Sequence, residues 1–219
     1  MAISVMASDI IMQVLFIFTL IFMFLWTLNI PQNLFNNFRY RDRSIYAAKR
    51  HFVLGADLLS RSRSTGDRNL AKSAAEHADK SIAINPNDAA VHILKALALD
   101  LQGFTTSALE ALEAALSPLT AKSLSDGERS DALCKRAEIK MKIGGGGGGG
   151  VEAAVVDLVE AVRLNGGNAA ALRLLGECYE KKGMSEEALK AYVELLKVEP
   201  RSAFGQDAVK RLRSGSGSS

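Results

Sequence analysis

The sequence predicts an all-α protein: a lipid-length apolar helix, then an array of about four helical repeats. Three observations predict it. Residues 10–28 run without a single charge. The remainder is rich in Ala, Leu, Glu and Lys, and the whole chain holds only 4 prolines, a helix-forming composition. Small residues and turn glycines recur in units of 34 to 41 residues, a 34-residue pattern with enlarged turns.

The first element is the apolar run, "IIMQVLFIFTLIFMFLWTL". As a helix it would be about 28 Å long, enough to cross the hydrocarbon core. Phenylalanines and a tryptophan on every face suit lipid better than a soluble core. A cleaved signal peptide fits poorly, because "MAISVMASD" has no Lys or Arg and "NIPQNLFNNF" offers no small-residue cleavage site. Residues 1–30 are therefore read as a short N-terminus and a membrane span ended by Asn29, Pro31 and Asn33.

Residues 31–47 form a basic, aromatic juxtamembrane segment. Asp9 precedes the span, whereas Arg39, Arg41, Arg43, Lys49 and Arg50 follow it. The positive-inside rule puts the C-terminal body in the cytosol. Residues 39–72 carry nine Lys or Arg against three Asp, in a chain of net charge only +3. Charge is thus polarised toward the expected membrane surface, where anionic head groups attract it. The modest total argues against a nucleic-acid binder. Cys134 and Cys178 form no CxxC or Cys/His cluster, so neither a disulfide framework nor a zinc site is expected.

Residues 48–213 hold the repeats. In "NAAALRLLGECYEKKGMSEEALKAYVELLKVEP", Gly176 and Ala188 are small residues that let two helices approach. Leu172, Leu175, Tyr179, Leu189, Tyr192 and Leu196 supply apolar contacts at spacings of three and four. Gly183 marks the turn and Pro200 the end. The segment resembles the tetratricopeptide repeat (TPR) family, whose pattern has a small residue, an aromatic, a turn glycine, an alanine, a second aromatic and a terminal proline at these places. The pattern recurs at Ala96, Gly103 and Ala108, and at Gly55, Ala74 and Pro86. The repeats are read as 48–88, 89–122, 130–168 and 169–202, with a partial cap over 203–213 and a flexible tail over 214–219. In the first, the turn "SRSRSTGDR" is about seven residues longer than the pattern needs.

Glycines 144–150 could be a domain linker, a phosphate loop or an enlarged turn. Glycine costs a helix interior about 1 kcal/mol, so seven in a row should not be helix. A phosphate loop needs a preceding strand and a following Lys-Ser/Thr, and here a charged helix precedes and "VEAA" follows. Ala137 and Ala154 lie seventeen apart where Gly176 and Ala188 lie twelve apart. The glycines supply the excess, so the run is an enlarged turn within the third repeat.

No catalytic constellation appears. His51, His77 and His92 are scattered, and His51 and His92 take places where the repeat pattern often has Trp, which marks them as packing residues. The resemblance implies a non-enzymatic binding module with no cofactor, no small-molecule substrate and no nucleic acid. It also implies two antiparallel helices per repeat, stacked into a right-handed superhelix whose concave groove is lined by first-helix residues. Mapped here, that groove is apolar at Phe52, Val53, Ala56, Ile93, Leu94, Leu97 and Leu101, and charged at Lys135, Glu138, Lys142, Arg173, Glu177 and Lys181.

TPR co-chaperones hold acidic chaperone tails with a clamp of Lys, Asn and Arg. The corresponding places carry Phe52, Ala56, Leu94, Asp131 and Lys135, only one of them basic. The expectation is a single-pass membrane protein serving as a scaffold or accessory subunit of a membrane complex. Its partners would be the lipid bilayer and proteins, chiefly membrane proteins. The alternative is a tethered receptor or co-chaperone capturing hydrophobic client segments or chaperone tails. The endoplasmic reticulum or plasma membrane is favoured, with an organelle envelope open.

Overall fold

The computed structural model describes residues 12–20, 23, 30–145 and 148–215. The chain divides into two compact units, Met1–Ala47 and Ala48–Ser219. In the first, residues 12–20 are helical with exposed side chains. Among the described residues no helix is long and apolar enough to cross a membrane. The span expected over 10–28 falls in part outside the described residues.

Helix α1, Ile30–Thr65, begins in the first unit and passes into the second. Pro31 and Asn33 lie within α1, and the end of the preceding apolar run, which they were expected to mark, lies outside the described residues. One expectation is corrected here. The long turn expected after residue 59 is helix. Ser64 and Thr65 each donate a hydroxyl to the Arg61 carbonyl, both at 2.9 Å, and Arg61 pairs with Asp57 one turn back. The extra residues lengthen α1, leaving only Gly66 and Asp67 as the turn.

The second unit continues with α2 (Arg68–Ile84), α3 (Ala89–Gln102), α4 (Thr105–Ala115), a 3-10 turn (Ala121–Ser123), α5 (Asp126–Ile143), α6 (Gly148–Leu164), α7 (Ala169–Lys181), α8 (Ser185–Val198) and α9 (Ala203–Gly215). These are four successive hairpins and a final helix. Within the hairpins the turns at Gly66, Gly103, Gly145 and Gly183 have φ of 72°, 89°, 56° and 73°, a left-handed conformation that favours glycine. Between hairpins the entry is capped instead. Asp88 accepts from the Ala90 amide, Ser125 and Glu128 form a reciprocal capping box, and Asn168 accepts from the Ala171 amide.

Adjacent hairpins share one apolar seam. Leu59, Ala74, Val91 and Leu94 pack together, then Ala96, Ala108, Leu112 and Ile139, then Leu133, Leu158, Ala171 and Leu175, then Leu172, Tyr192, Leu195 and Val209. Alanine supplies much of it, so helix axes run close. Gly176 shows why. A Cβ there would run into the fully buried Tyr192 ring. The final helix buries Ala208 and Val209 and sets Phe204 edge-on to Tyr192, ring centroids 5.7 Å apart.

The glycine run differs in part from expectation. Gly144 and Gly145 are a turn, but glycines 148–150 form the first turn of α6. A Cβ on Gly150 would lie 2.9 Å from both the Gly144 Cα and the Lys140 carbonyl oxygen. Helix ends that meet at this distance exclude any side chain. The helix-propensity penalty falls on the first turn, where tertiary contact outweighs it.

Candidate protein-binding groove

Two helix faces of identical spacing build the site. On α3, Ala90, Ile93, Leu94 and Leu97 fall at i, i+3, i+4 and i+7, which places them on one side of the helix. On α5, Glu128, Asp131, Ala132 and Lys135 repeat that spacing. Phe52 from α1 and Leu124, just before α5, complete an open apolar cavity of about 360 Å³. That is the lower range of volumes that hold ligands.

Five residues expected from sequence line this cavity: Phe52, Ile93, Leu94, Leu97 and Lys135. The others do not. Ala56 packs into the seam between α1, α2 and α3. Val53 is 63 % exposed and Leu101 lies near the last turn of α3. Glu138 is held between Lys135 and Lys142. Arg173 reaches Glu177 at 3.6 Å and stacks over the Phe204 ring at 5.7 Å, at the far end of the stack. Lys49 and Arg50 are exposed on α1, whereas Arg39, Arg41 and Arg43 lie in its helical N-terminal part.

Ala90, Leu124, Glu128 and Ala132 also line the cavity, beyond the residues the repeat pattern points to. Stepping back three or four positions from Ile93, Leu94 and Lys135 finds Ala90 and Ala132, and one more such step from Asp131 or Ala132 reaches Glu128. Leu124 stands in the connection between the second and third repeats, where no periodicity points.

Electrostatics are asymmetric across the cavity. Lys135 Nζ is bound to Asp100 at 2.8 Å and to Glu138 at 3.0 Å. Lys142 binds the same two carboxylates, at 3.2 Å and 3.0 Å. Burial pushes the Asp100 carboxyl upward, but hydrogen bonds and charge from both lysines outweigh it and hold the group below the usual range. Glu138 behaves alike. Glu128 is held anionic by hydrogen bonds from the Ser125 hydroxyl and amide, at 2.7 and 2.8 Å. Asp131 accepts 2.9 Å from the Asn168 side-chain amide.

Chemistry-bearing groups elsewhere are engaged in packing. His51 and His77 share a 2.9 Å Nδ1 to Nδ1 hydrogen bond, and His92 Nε2 lies 2.8 Å from the Pro86 carbonyl oxygen. Burial pushes the Cys134 thiol up to about 11, away from thiolate chemistry. Among the described residues no group of three or more His, Cys, Asp or Glu could hold a metal ion.

Residues 169–202 match the tetratricopeptide repeat family model. The match covers one hairpin, α7 and α8. The described hairpins share the same solenoid fold with solved TPR structures. A crystal structure of MamA protein matches at 19 % identity and TM-score 0.60, over 78 % of this chain and 83 % of that one. YrrB, described as a TPR protein with an unusual peptide-binding site, matches at 18 % and TM-score 0.55, over 73 % and 74 %. The first TPR of Spaghetti (RPAP3), bound to an HSP90 peptide SRMEEVD, matches at 20 % and TM-score 0.50, over 60 % and 97 %. At these identities the likeness establishes the fold. No curated protein matches the chain.

Proposed function

We propose that the chain is a non-enzymatic TPR module that holds a protein segment in the α1–α3–α5 groove, tethered to a membrane through residues 10–28. The observation that carries the binding part is the open apolar cavity across three first helices. A contiguous apolar surface that the stack does not fill marks an interaction site. Of its structural neighbours, YrrB has a peptide-binding site and the Spaghetti repeat is bound to an HSP90 peptide. The tether is supported by the uncharged stretch, by the helical, exposed side chains at 12–20, and by the basic residues after it. Such a tether raises effective concentration toward partners in the same membrane. A scaffold or accessory subunit with its body in the cytosol fits this arrangement best, on an endoplasmic reticulum or plasma membrane. Chaperone-tail capture fits less well, because Phe52, Ala56, Leu94 and Asp131 stand where a basic clamp is needed.

A photo-crosslinker at Ile93 in the full chain, in membranes, tests the groove. Adducts should form there, disappear with Leu97→Asp, and be absent from a crosslinker at Val156, which is exposed on α6. Equal adducts at both positions would defeat the reading. Replacing residues 10–28 with an unrelated apolar helix separates its forms. A stable subunit should lose assembly, whereas a receptor should keep its clients.

A further inference from the structure

The groove's rim carries a charge pattern that specifies its occupant. Apolar side chains make its floor, so the occupant must present apolar anchors. Lys135, the cation on the wall, is already committed to Asp100 and Glu138. Glu128 and Asp131 face the same cavity, and among the described residues no salt bridge joins either to a cation. They are neighbours at i, i+3 on α5. Neutral donors hold both in place: Ser125 fixes Glu128, and Asn168 fixes Asp131. Pre-positioned anions beside an apolar floor recognise a cation at low ordering cost.

We propose that the groove takes a basic amphipathic segment of a partner protein, with apolar side chains over Phe52, Ile93 and Leu97 and a Lys or Arg between Glu128 and Asp131. This rests on the groove reading above and narrows it. An acidic tail would meet two fixed carboxylates and be repelled. Rim charges set partner choice and salt dependence more than total affinity, so the signature is selectivity.

The test uses the full chain in detergent and labelled short peptides of leucine with lysine, with glutamine or with glutamate. The leucine–lysine peptide should bind tightest, and added salt should weaken it. Glu128→Gln with Asp131→Asn should weaken that peptide about five-fold and leave the leucine–glutamine peptide unchanged. Gln preserves the capping box and Asn keeps an acceptor for Asn168, so the fold survives both. Ile93→Asp should abolish binding of every peptide. If Ile93→Asp weakens all peptides but the carboxylate variants change none, the groove stands and this inference falls. If the lysine peptide binds regardless of Ile93→Asp, the groove reading itself falls. Concentration-dependent self-association that the carboxylate variants abolish would overturn the proposal in favour of a second copy's basic segment.

Discussion

The third and fourth hairpins solve one packing problem in two ways. Aligned on their small residues, Ala137 and Ala154 correspond to Gly176 and Ala188. Arg136, Lys140 and Asp157 then correspond to Leu175, Tyr179 and Ala191. The fourth hairpin closes with Tyr192 laid on Gly176 in a seam of apolar neighbours. The third lays Leu158 beside Ala137 and holds Asp157, its side chain 4 % exposed, between Arg136 at 2.6 Å and Lys140 at 2.8 Å. The close approach of two helices is what the fold demands. Whether an aromatic ring or an ion triad flanks that approach is free, and so is the length of the turn. The family model matches the hairpin that uses the ring.

The largest effect should come from Gly176→Ala. Its methyl meets a fully buried ring whose hydroxyl donates to Glu180 at 2.7 Å, so the ring has nowhere to go. A loss of about 3 kcal/mol in urea unfolding is expected. A loss below about 1 kcal/mol would break the comparison, because close approach would not then be what the glycine provides.

Asp157→Ala should cost nearly as much, about 2–3 kcal/mol, by leaving two half-buried cations without their carboxylate. Importing the fourth hairpin's residues together, Arg136→Leu, Lys140→Tyr and Asp157→Ala, should recover most of that loss, since apolar replacements of buried ion groups are often neutral or better. Failure of the triple variant to recover would show that the two seams are not interchangeable.

A smaller contrast tests the glycine run. Gly150→Ala should destabilise by about 1–2 kcal/mol, because its neighbours at 2.9 Å are backbone atoms. Gly149→Ala meets nothing within 4 Å and should be neutral or stabilise by about 0.5 kcal/mol. Equal effects at both positions would mean that the run is slack.

The smallest effect separates the first hairpin from the third. Burial, then the charges of His51 and Lys80, hold the His77 imidazole below its ordinary 6.5, against Glu76. Its stabilising contribution is complete above that ordinary value and is lost as pH falls through the lowered one. Thermal unfolding followed from pH 7.5 to pH 5 (about the range over which imidazole titrates) should show a fall that His77→Gln removes. A pH response unchanged by His77→Gln would assign it to other groups.

The family-like periodicity was legible because small, apolar and turn residues keep their spacing whatever surrounds them. Gly176, Ala188, Gly183 and Tyr192 were read correctly from one hairpin for that reason. The cap residues Ala208, Val209 and Leu212 were also readable, since a terminal helix must cover the last seam. Helix ends were less so. Residues 60–65 and glycines 148–150 have weak helix propensity, and their state was set by neighbours: hydroxyl back-bonds in one case, backbone contact with Gly144 in the other.

What the sequence determined alone is the repeating hairpin, because a helix period and a row of small residues are local and additive. It also determined the uncharged stretch at 10–28 and the basic residues behind it. The tertiary structure decided which first-helix residues share a cavity. Phe52, Ile93, Leu94, Leu97 and Lys135 converge only once α1, α3 and α5 stand side by side, and Val53 and Leu101 do not join them. It also decided which charges are spent. Lys135 and Lys142 look free in one dimension, but hairpin packing brings Asp100 to both, and two acidic side chains are left facing the groove.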